Sequence, residues 1–126
     1  MSSLEQLPLY RRALRLPAPS YREAGDPVLV TFCARERGSD VLTRGALATV
    51  ISEVIRAGAE SGGVEVHVWC VMPDHVHVVV RPAGDDVVAW VGRVKGRVAA
   101  RARSLGIRSL WQRSFHDRVL WRKEDL

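Results

Sequence analysis

The stretch Trp69–Pro82, WCVMPDHVHVVVRP, sets two histidines one residue apart inside a run of valines. Val76, Val78 and Val80 alternate with His75 and His77, and strand side chains alternate between faces. The valines therefore belong on a core-facing side, and the two imidazoles share the opposite side, about two strand rises apart. That spacing suits convergence on one metal ion. It equally suits two half-exposed histidines, one bonded to a backbone carbonyl. His67, on the preceding run, is a possible neighbour or a plain surface histidine, because the hairpin register is not fixed by sequence.

Working outward, "VEVHVWCVM" alternates as a strand, Pro73-Asp74 breaks it, and "HVHVVVRP" returns, giving a hairpin. Upstream, "VLVTFCARERG" from Val28 reads as a first strand. Leu47, Val50, Ile51, Val54 and Ile55 then recur at helical spacing, with Thr43 as candidate cap and "SGG" as the stop. Downstream, "AGDD" offers a cap for a helix over Val87 to Leu105, closed by Gly106. "LWQRSFHDRVLW" has strand character. The order β-α-β-β-α-β predicts an α+β chain with the ferredoxin-like split βαβ plan: a four-stranded antiparallel sheet with two helices on one face. Strands one and three are central in that plan, so the histidine strand is central. Residues 1–26, rich in Pro, Arg and Tyr, read as an extended arm, and 27–126 as one domain.

The 126 residues fit a single domain, 47% hydrophobic and 26% charged. No apolar run is long enough to span a bilayer, and the N-terminus lacks the order of a secretory signal, so a cytoplasmic protein is expected. Cys33 and Cys70 form no CxxC motif and read as two buried free thiols. The net charge of +5 is unevenly spread. Between Arg93 and Lys123 ten Lys/Arg face one acid, Asp117, giving +9, whereas the remainder carries nine basic and thirteen acidic residues, or −4. A basic third on a slightly acidic body is the footprint of a polyanion-binding face, or of a merely solvated basic helix. A ferredoxin-like RNA binder is a weaker alternative, since the first strands lack paired stacking aromatics.

"VMPDHVHVVV" resembles the histidine–hydrophobe–histidine signature of the HUH single-strand nucleases. The chain as a whole is similar to the REP-associated tyrosine transposases and their single-tyrosine insertion-sequence relatives. "RRALRLPAPSYREAGDPVLVTFCARERG" resembles that family's entry arm and first strand. "WVGRVKGRVAARAR" resembles its basic second helix, and "LWQRSFHDRVLWRKEDL" the segment leading into its last helix. The family usually has Asn where this chain has Asp74.

The resemblance implies that His75 and His77 help hold a divalent ion, Mg²⁺ or Mn²⁺, which polarises a scissile phosphate of single-stranded DNA. It implies attack by a tyrosine to give a 5′-phosphotyrosine and a free 3′-hydroxyl, with no nucleotide cofactor. The DNA would be a short imperfect hairpin. Arg93, Lys95, Arg97 and Arg101 match as phosphate-binding candidates, while Trp111 and Gln112 match a motif with no assigned role. The family's tyrosine, and usually a third metal ligand, lie on a helix beyond "WQRSFHDRVLWRKEDL", where this sequence stops at Leu126. Tyr10 and Tyr21 belong to the arm and are not carried over as catalytic; for Tyr21 a structural or DNA-stacking role is expected. His116 or Asp117 could complete the metal site, although their strand is an edge in this plan. Three explanations stand open: a truncated copy of an active transposase, a hairpin-binding module without cleavage, or a homodimer in which a partner supplies the tyrosine, as helix sharing among relatives allows. Without the last helix, part of the open sheet face is expected to be bare.

Overall fold

The computed structural model describes residues 27–119, with side chains as far as Arg113. The expected arm and both tyrosines lie outside these residues. β1 (Val28–Ala34) is followed by a 3₁₀ turn (Val41–Thr43) and α1 (Leu47–Glu60). The hairpin β2 (Val64–Val71) and β3 (His75–Pro82) comes next, then α2 (Val87–Ser104) and β4 (Trp111–Val119). The strands form one sheet in the order β2-β3-β1-β4, antiparallel at every pairing. This is the α+β arrangement expected from the sequence, with β1 and β3 in the centre.

Alternation decides the faces. Val28, Val30, Phe32 and Ala34 of β1, and Val76, Val78 and Val80 of β3, are fully buried. They pack in one core with Ile51 and Ile55 of α1 and Val91, Val94 and Val98 of α2. Both helices therefore lie on the valine side, and His75 and His77 lie on the other. That second face is not bare along its length: Leu29, Cys33 and Val79, which pair across β1 and β3 with each other or with His75, are buried as well. Burial pushes the Cys33 thiol above its ordinary pKa, in keeping with an inert thiol. Cys70 is free and only half-buried, short of the burial expected for it.

The helix ends follow local chemistry, with one departure. Asp86 caps α2, its carboxylate accepting from the Val88 N–H at 2.9 Å. Thr43 does not cap α1; it lies in the 3₁₀ turn and its hydroxyl donates to the Asp40 carbonyl, while the helix begins at Leu47 with no side-chain cap. Gly45, at φ +57°, turns the chain between the two. The helices meet at Gly58, whose carbonyl accepts from Trp90 Nε1 at 3.3 Å. A Cβ at Gly58 would stand 3.1 Å from that nitrogen, so the glycine permits the close approach.

Trp111 ties β4 to the rest. Its ring meets Phe32 edge-on, with centroids 5.2 Å apart, and its Nε1 donates to the Lys95 carbonyl at 3.0 Å. Lys95 Nζ in turn donates to the Gln112 carbonyl at 2.7 Å. The two residues given no chemical role by sequence thus anchor an edge strand. No helix among the described residues is long and apolar enough to cross a membrane.

Candidate functional site

β3 brings His75 and His77 together on the face away from the helices. Their rings meet edge to face with centroids 4.6 Å apart. Each ring is held through the same nitrogen. His75 Nδ1 lies 2.7 Å from Asp74 Oδ1, and His77 Nδ1 lies 2.8 Å from Thr31 Oγ1. A ring whose Nδ1 is engaged has only Nε2 to offer an ion, and such outer partners set both tautomer and orientation at metal-binding histidines. Sequence did not single out Thr31 or Asp74 as their partners. The signals were present: Thr31 is the one polar residue in β1, and Asp74 directly precedes His75.

Asp74 is itself held firmly. Its Oδ2 accepts from the Gly38 N–H at 2.8 Å and from Arg37 Nε at 3.1 Å. The Gly38 amide first, then the His75 contact, hold its carboxyl well below the usual carboxylate range. Asp74 is thus an anion, and an acceptor toward His75 Nδ1–H. Burial, and secondarily the neighbouring His75, push the His77 pKa down to about 4. His77 is therefore a neutral imidazole at neutral pH, the form that ligates metals.

The His77 shift carries a prediction for stability. The unfolded histidine titrates near its ordinary value of 6.5 and the folded one near 4, so between those values the unfolded state binds more protons. Metal-free protein is expected to lose stability as pH falls through that window, by at most about 3 kcal/mol and less to the extent that His77 meets solvent. Asp74 contributes only at lower pH, nearer its unfolded value. Chemical denaturation across the pH range checks this: His77→Gln should flatten the slope between pH 6.5 and 4, and an unchanged slope would contradict it.

The remaining candidates separate. His67 is exposed at a bulge in β2, and the register sets Cys70, not His67, opposite His77. His116 and Asp117 occupy the register positions of Thr31 and Val30 on β4, across β1 from the histidine strand. Among the described residues no group of three or more His, Cys, Asp or Glu is placed to hold an ion. Arg93, Lys95, Arg97 and Arg101 all project from α2, in the helical layer across the sheet from the histidines. Arg93 is paired with Asp85 at 2.8 Å and Arg101 with Glu53 at 3.3 Å; Arg97 is exposed. The structure unites the two histidines and does not bring these cations to them.

Comparison with known proteins sets this chain in a family. Several solved structures share the fold, and two of them show the likeness. One, described as a REP-associated tyrosine transposase bound to a REP hairpin, superposes with a TM-score of 0.65 at 23% identity over 94% of this chain. The chain spans 66% of that protein's length. The other, a candidate transposase of Deinococcus radiodurans R1, gives a TM-score of 0.63 at 20% identity, covering 79% of this chain and 82% of that one. Among curated proteins no sequence matches. The profile of one sequence family, described as transposase, IS200-like, matches residues 28–123, a span that holds the whole described sheet, both helices and the His75–His77 strand. On that match the chain belongs to the IS200-like transposase family.

Proposed function

We propose that this chain binds hairpin-bearing single-stranded DNA and presents a scissile phosphate to a divalent ion at His75 and His77, for strand cleavage and transfer in transposition. The observation that carries this reading is the matched engagement of both Nδ1 atoms, which leaves two Nε2 atoms, on rings 4.6 Å apart, as free donors on one central strand. Two imidazoles fit a divalent ion as part of its ligand set, and imidazole is a softer donor than the oxygens Mg²⁺ prefers, which favours Mn²⁺ as the probe. A bound ion would supply Lewis-acid polarisation of the phosphate. The protein's own part is to orient. Asp74 and Thr31 fix the rings, while Arg37 and the Gly38 amide fix Asp74.

The DNA partner is supported by the basic run from Arg93, by the family match, and by a structural relative described as bound to a REP hairpin. Arg97 and Arg101, with Arg93 and Lys95, are the phosphate-binding candidates on α2. Their place across the sheet from the histidines suits a DNA that wraps the domain rather than one confined to a single face. A second reading, a hairpin-binding module without cleavage, draws on one observation: no tyrosine falls among the described residues. In either case binding should weaken steeply with salt through counterion release. Arg97→Gln/Arg101→Gln should lower the magnitude of the log–log salt slope by about 1 to 2, depending on how many of the two contacts fall on duplex or single strand. Fluorescence anisotropy on a labelled hairpin measures this. A salt-independent affinity, or equal affinity for plain duplex, would contradict the proposal.

A further inference from the structure

The connection between β1 and α1 does two jobs at one end of the sheet. On one side it is bonded to the β2–β3 turn: the Ala34 N–H donates to the Asp74 carbonyl at 2.8 Å, the Leu42 N–H to the Pro73 carbonyl at 3.0 Å, and the Gly38 N–H to the Asp74 carboxylate. On the other side the Arg35 N–H donates to the Leu110 carbonyl at 2.8 Å, which docks the α2–β4 connection against the end of β1. Between these two connections runs an open groove of about 420 Å³, lined by Arg35, Glu36 and Arg44 from the first and Arg108 and Ser109 from the second. The segment that fixes the partner of His75 therefore also forms a wall of this groove.

Its chemistry is that of an anion site. Three guanidinium groups line it against one carboxylate, Glu36. Arg44 is paired with Asp40. Arg35 and Arg108 are exposed and have no carboxylate partner among the described residues, unlike Arg93 and Arg101 on α2. A planar guanidinium fork without a carboxylate matches the oxygens of a phosphodiester. Ser109 is the one non-glycine residue among those described with positive φ, at 52°, a conformation serine adopts only at a cost. The size is within the ~300–1,000 Å³ of ligand sites, more than one phosphate fills, and the cations come from two separate connections. A run of nucleotides meets them better than a small ion does.

We propose that this groove binds the sugar–phosphate backbone of single-stranded DNA flanking the hairpin, with Arg35 and Arg108 contacting successive phosphates as the strand passes the end of the sheet next to His75. This inference rests on the DNA-binding reading above, and the test separates the two. Two labelled DNAs are used: a hairpin with a blunt foot and the same hairpin with a single-stranded extension. The full chain and Arg35→Gln/Arg108→Gln are titrated with each over a salt series, with circular dichroism confirming that the variant is folded. The native chain should bind the extended DNA more tightly than the blunt hairpin. The variant should lose that advantage, on the order of tenfold, with the salt slope for extended DNA reduced in magnitude by about 1.4 and that for the blunt hairpin unchanged. An equal fall for both DNAs would show a general charge effect and overturn the inference. So would a folded variant that keeps its preference, or a native chain that binds the hairpin without preferring the extension; in these cases the hairpin-binding reading stands. A native chain that binds neither DNA would remove both.

Discussion

His75→Ala is expected to weaken Mn²⁺ binding by roughly a hundredfold or more, since losing even an outer hydrogen-bond partner of a metal ligand costs about 10–100-fold. Isothermal titration of the metal-free protein measures it without any DNA. The companion variants make the result specific. Asp74→Ala removes the acceptor at 2.7 Å from His75 Nδ1 and should cost about 10–100-fold while leaving both histidines in place. Asp74→Asn keeps an acceptor oxygen there and should retain most of the affinity. Thr31→Val should act on His77 as Asp74→Ala acts on His75, because the Thr31 hydroxyl lies 2.8 Å from that ring's Nδ1. His75→Ala binding Mn²⁺ as tightly as the native chain would contradict the assignment of this strand as a metal site.

The largest stability loss is expected at Trp90. Its side chain is 1% exposed, packs between the two helices and donates to the Gly58 carbonyl. Trp90→Ala should cost about 3–5 kcal/mol through lost burial and the cavity left behind. Typical domains hold about 5–15 kcal/mol in total, so the variant should unfold at a midpoint roughly 10 °C or more lower. Trp90→Phe keeps most of the ring area and removes only the indole donor, while the Gly58 carbonyl still accepts from Ser61 Oγ at 2.7 Å, so it should cost less. Thermal and denaturant unfolding followed by circular dichroism give both values. A Trp90→Ala loss under about 1 kcal/mol, within the range of an ordinary surface change, would mean that the helices do not meet there.

The fold was readable because one stretch carried two messages. The alternation in HVHVVV set the valines toward the helices and the histidines away from them, and the turn at Pro73-Asp74 made the hairpin. Together with two amphipathic stripes this left one plan, and the register agrees with it from Val28 opposite Val80 to Cys33 opposite His75. What escaped the sequence depends on contacts between distant segments. Thr31 meets His77 only because β1 and β3 pair in that register. The place of the α2 cations, by contrast, follows from the expected plan, in which both helices cover the valine side. The Val91–Val94–Val98 stripe turns α2 toward the valine side, and so puts its cations on the far side of the sheet. Arg35 and Arg108 are far apart in sequence, and only the docking of the Leu110 carbonyl on the Arg35 amide makes them walls of one groove. The start of α1 was misplaced because Val41–Thr43 forms a separate 3₁₀ turn before the helix, a local choice that apolar spacing does not register.

The most direct test of the account is a denaturing gel. The protein is incubated with end-labelled hairpin-bearing single-stranded DNA, with and without Mn²⁺, beside His75→Ala/His77→Ala. The account predicts Mn²⁺-dependent strand cleavage that is absent from the double variant. Cleavage that survives loss of both histidines, or no cleavage by the native chain under conditions where it binds the hairpin, would contradict it.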